Sequence, residues 1–107
     1  MATSWAYIYG QPGADPVADR IVIDRGEHRT TLVPVPDESA AAGVAVELVD
    51  DGVQLIELCG GFTVHDAARV IEAVDGQVPV GHVTFGLESV TAAAAYKAQF
   101  DAQDPVD

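Results

Sequence analysis

The stretch "GVQLIELCGGFTVHDAARVIEAVDG", Gly52 to Gly76, decides the fold. Its first part, Val53 to Cys59, is a continuous, mostly apolar run of strand length, the pattern of a parallel strand covered on both faces. Gly60 and Gly61 interrupt it. Thr63 and Asp66 then stand at capping-box spacing, and Ala67, Val70, Ile71 and Val74 form one helical stripe that Gly76 closes. A strand that turns directly into a helix is half of a crossover unit, and crossover units build parallel sheets.

The same alternation extends in both directions. Trp5 to Tyr9 is aromatic and β-branched and ends at "GQPGADP", which reads as a first strand and its turn. Asp15 is placed to cap a short helix with Pro16 at its first position. The competing reading is a strand through Ile21, Val22 and Ile23, because short β-branched runs are not settled by periodicity. "TTLVPVP" reads as the second strand, with Pro34 restricting it to an edge position or to its very end. Asp37 or Ser39 opens a helix through Ala41, Val44, Ala45 and Leu48, with Gly52 at its end. "VPVGHVTF" gives a fourth strand. A last helix opens near Glu88 or Ser89 and is expected to bury Ala92, Tyr96 and Phe100.

The expected architecture is α/β: a single three-layer domain of about four βα units over residues 1–102, with a mainly parallel, flavodoxin-like sheet. A half TIM-barrel completed by dimerisation is the alternative. Residues 103–107 carry acid and proline and are expected to form a frayed tail. Four strands leave two exposed edges, so a homodimer or larger homo-oligomer is expected.

Composition narrows the partners. Seventeen acidic and five basic residues in 107 give a net charge of −12, which repels nucleic acid and anionic lipid. The opening "MATSWAYIYG" lacks a basic start and an apolar stretch, and no apolar run reaches the length of a membrane helix, so a cytoplasmic location is expected. Cys59 is the only cysteine, and no disulfide forms within the chain.

The chemistry-bearing residues gather at the glycine turn. Alternation puts Leu55, Glu57 and Cys59 on one face of their strand and Val80, His82 and Thr84 on one face of the last. With the Gly60–Gly61 turn level with Gly86, Glu57 lies opposite His82 and Cys59 opposite Thr84. A buried carboxylate needs a partner, and a Glu57–His82 pair could move a proton to or from a bound substrate. The bland reading is a structural pair, or Glu57 held by loop N–H groups or Arg69. Cys59 before a helix start is a candidate nucleophile, set against its use as a small apolar filler. Gly60, Gly61, Phe62, Thr63 and His65 form a candidate anion site at the helix N-terminus. Cys59, His65, His82 and Glu57 lack the compact spacing of a metal motif, and no nucleotide fingerprint or other cofactor motif is present.

The elements "GVQLIELCGGF", "AARVIEAV", "VPVGHVTF" and "PGADP" resemble those of a family of short bacterial proteins labelled only as a domain of unknown function. The resemblance spans nearly the whole chain, implies a shared compact fold and a special turn at Cys59–Phe62, and implies no catalytic role. The expected function is binding of a small, anionic metabolite at the C-terminal edge of the sheet, with proton-transfer chemistry of the isomerase or lyase type if the protein is an enzyme. The alternative is a non-catalytic ligand- or protein-binding oligomeric module in which the Glu57–His82 pair is structural.

Overall fold

The computed structural model describes residues 2–103; most of the expected tail lies outside them. Five strands form one sheet: β1 (Thr3–Gly10), β2 (Ile21–Asp24), β3 (His28–Val35), β4 (Leu55–Leu58) and β5 (Val80–His82). The spatial order is β2-β3-β1-β4-β5, with β2 antiparallel to β3 and every other neighbouring pair parallel. The class is therefore α/β with a mainly parallel sheet. Counting only the parallel strands, the first lies inside the sheet between the second and third, as in flavodoxin-like sheets. A half-barrel would instead lay its strands side by side in chain order.

Three α-helices accompany the sheet: α1 (Ala41–Asp50), preceded by a 3-10 turn over Glu38–Ala40, α2 (Val64–Val74) and α3 (Val90–Asp101). Both β3-α1-β4 and β4-α2-β5 step across the sheet in the same direction. Right-handed crossovers then place both helices on one face. One core results, in which Ala6, Ile8, Val33, Val35, Ile56 and Leu58 of the strands meet Val44, Ala45 and Leu48 of α1 and Ala67, Val70 and Val74 of α2.

The connection from β1 to β3 steps the other way, and a helix there would have covered the opposite face. No such helix forms. Asp15 does cap a turn, accepting from the N–H groups of Val17 and Ala18, but the turn closes when Arg20 Nε donates to the Pro16 carbonyl. The chain then returns as β2, through Ile21, Val22 and Ile23, so the strand reading holds there and the helix reading does not. A β-branched triplet pairs better with β3 than it coils, because Ile21 and Ile23 sit beside Leu32 and Thr30. The three layers expected from the sequence are thus two where α1 and α2 pack, with a sheet face left open behind them.

Of the two places open to Pro34, the structure takes the strand end: β3 is interior and Pro34 is its penultimate residue. The Val35 carbonyl accepts from Gln11 on the β1 side, so Pro34 turns its missing N–H the other way, where β2 has already ended at the Ile21–Leu32 pair. The last helix departs from expectation too: α3 contributes no buried residue, and Tyr96 is 71% exposed.

Candidate functional site

Register decides which side chains can meet. In β4 and β5, Glu57 pairs with Gly81 and Leu58 with His82. Side chains alternate, so Glu57 points to the open face while His82 shares the helix-covered face with Leu58. The Glu57–His82 contact expected from level turns is not formed, because the two strands are offset by one residue from that alignment. A one-residue offset exchanges faces throughout a strand. His82 instead donates from Nε2 to the carbonyl of Phe62, at 2.8 Å. It ties β5 to the glycine turn.

The turn itself is tightly organised. The Phe62 N–H donates to the Cys59 carbonyl, and the Phe62 ring is buried in the core rather than lining a ligand surface. A Cβ on Gly60 would lie 2.8 Å from the exposed Phe85 ring, which a side chain there would displace. Thr63 and Asp66 complete a reciprocal capping box: the Asp66 N–H donates to Thr63 Oγ1 and the Thr63 N–H to Asp66 Oδ2, each at 3.1 Å. Those bonds, led by the Thr63 backbone N–H, hold the Asp66 carboxyl below its ordinary value. An anion seated at Gly60–His65 would compete with a carboxylate already there. His65 is exposed one residue inside α2.

What the fold does assemble lies on the open face. Trp5, Tyr7 and Tyr9 alternate with buried Ala6 and Ile8, and Tyr7 sits between Leu32 on β3 and Glu57 on β4. The Trp5 indole N–H donates to Thr30 Oγ1 at 2.7 Å, and the rings of Tyr7 and Tyr9 stack with centroids 5.9 Å apart. Burial, then the neighbouring charges of Cys59 and Glu57, raise the Tyr7 phenol above its ordinary value, so it stays a hydrogen-bond donor at neutral pH. Among the described residues, Glu57 is the only carboxylate that the strands carry on this face.

Beside Glu57 the face is hollow. Gly81 has no side chain to fill the position next to the Glu57 Cγ, and a concavity of about 390 Å³ opens there, lined by Leu55, Glu57 and residues 79–83 of the edge strand. Cys59 is half-buried just beyond, its Sγ in contact range of Gly61. The Glu38 carboxylate, which no sequence pattern singles out, reaches over Gly10 and Gly61 where the β1 and β4 loops diverge. Tyr7 and Gly81 are the functional candidates least visible in sequence. Tyr7 looks like core, and Gly81 carries meaning only beside Glu57. Among the described residues no three His, Cys, Asp or Glu side chains converge as a metal set, and no helix is long and apolar enough to cross a membrane.

The family described as "Family of unknown function (DUF6506)" matches residues 3–98. No curated protein and no solved structure matches the chain.

Proposed function

The chain belongs to DUF6506, a family of unknown function, and from its geometry we propose that it binds a small organic molecule on the open face of the sheet, in the hollow between Glu57 and Gly81. The observation that carries this reading is the lone carboxylate among the described strand residues of an aromatic-rich face, standing at the wall of the recess beside it.

The chemistry of the walls selects the ligand. Glu57 accepts hydrogen bonds and Leu55 and Val83 offer apolar contact, while Tyr7, outside the lining but beside Glu57 on the neighbouring strand, adds a donor. A molecule with an apolar body and an amine or hydroxyl head fits this set better than the anionic metabolite suggested by the glycine turn, since an anion would meet Glu57 in the hollow and Asp66 at the helix start. If a reaction follows binding, Glu57 is the base and the protonated Tyr7 phenol the acid of a proton transfer, the isomerase or lyase type of step. Cys59, two residues beyond Glu57, lies outside the lining of the recess. His82, which also lines the recess, holds the turn through the Phe62 carbonyl.

Thermal melting with benzylamine and with benzyl alcohol tests the reading. The wild type gains melting temperature with either probe. Glu57→Gln weakens the benzylamine shift most, and Gly81→Val, which fills the recess on a backbone that accepts a side chain, abolishes both shifts while leaving the fold intact. Equal shifts in wild type and Gly81→Val would place binding elsewhere.

A further inference from the structure

The open face is larger than its hollow. Ile21 and Ile23 of β2, Leu32 of β3, Trp5, Tyr7 and Tyr9 of β1 and Leu55 of β4 form one side of a five-stranded sheet with no helix over it. In the same chain α3 stands without a sheet, with Tyr96 and Phe100 exposed at 71% and 42%. A face lacking its helix and a helix lacking its face are complementary halves of the third layer that α/β sheets ordinarily carry.

Whole-molecule dimensions agree. The chain exposes 6983 Å², against about 5,700 Å² for a compact monomer of its mass, an excess of roughly 1,300 Å². Its radius of gyration is 14.5 Å, where about 13 Å is usual for this length. A stable interface takes about 800 Å² from each partner, so the excess surface suffices for one.

Charge selects the partner. A chain of net charge −12 repels its own copies, except where charge is sparse. The open face carries Glu57 as its only acid among the described strand residues, and α3 carries one lysine paired with one aspartate, Lys97 with Asp101 at 2.7 Å. Depletion of charge is the compositional mark of an interface centre. We infer that a second copy of this chain covers the open face, each copy laying its α3 across the sheet of the other. The inference stands independently of the ligand reading, although such a partner would roof the hollow beside Glu57.

Sedimentation of the full chain tests it. The wild type sediments at twice the 11.2 kDa chain mass, and its association strengthens as salt screens the repulsion. Leu32→Glu on the face, and Tyr96→Glu with Phe100→Glu on the helix, each yield a monomer with unchanged circular dichroism. Should Leu32→Glu fail to fold, Trp5, the only tryptophan and a resident of the face, reports on the wild type. Its emission shifts to the red and becomes quenchable by acrylamide on dilution through the dimer–monomer transition. A monomeric wild type overturns the inference. So does a dimer that survives either variant, or one whose dilution leaves Trp5 emission unchanged.

Discussion

At the scale of residues, Glu57 and His82 show how one step of register places two side chains on opposite faces. The sequence displays both groups on strands that do become neighbours, and alternation along each strand is legible. Which residue of β5 stands opposite Glu57 is not, because register is set by packing of α2 and by the turn, not by any local pattern. The outcome ties His82 to the Phe62 carbonyl and leaves Glu57 on the open face. His82→Ala removes one hydrogen bond to the Phe62 carbonyl and is expected to destabilise the protein by about 1 kcal/mol in urea unfolding, while retaining the benzylamine shift. Glu57→Gln is expected to do the reverse.

Tyr7 gives a pH signature on the alkaline side. Its phenol is raised from the ordinary 10.0 by burial first and by Cys59 and Glu57 after it, so the folded state holds the proton more tightly than the unfolded one. The stability this contributes is present in full below the ordinary value and is lost as pH rises through the higher folded value. Tyr7→Phe should therefore flatten the fall in melting temperature above pH 10, and an unchanged fall would show that another group is responsible.

Among elements, β4 and α2 were the most legible, since the apolar run Val53–Cys59, the Thr63–Asp66 box and the stripe through Val70 and Val74 each rest on local rules. The box forms as the spacing implies. Thr63→Ala is expected to cost about 1 kcal/mol of stability, the usual value of an N-cap, readable in the same urea experiment. Asp66, held low by the Thr63 N–H, contributes stability that is present above its ordinary 3.8 and lost as pH falls through the lower folded value.

The connection from β1 to β3 was the least legible element. Asp15 and Pro16 carry a helix-start signal that is honoured for one turn, and Ile21–Ile23 then follows its β-propensity into an antiparallel edge strand. That local competition has a global result, because the absent helix is the one that would have hidden Trp5, Tyr7 and Tyr9. Likewise, Ala92, Tyr96 and Phe100 were legible as a stripe, but a stripe says that something covers it, not that the same chain does.

For the molecule as a whole, the α/β class and the parallel sheet follow from alternation of strand and helix signals, and the sidedness follows from topology. Two crossovers in one direction stack α1 and α2 over a single core, and the in-plane return through β2 leaves the opposite face bare. Both proposals place function on that bare face: a recess with one carboxylate for a small molecule, and a charge-poor sheet for a second copy.

The most direct measurement is a nuclear magnetic resonance map of benzylamine binding to the isotope-labelled chain. The account predicts saturable shifts confined to Leu55, Glu57, Gly81, Val83 and the Tyr7 ring; shifts centred on Gly60 to His65, or none at any benzylamine concentration, would contradict it.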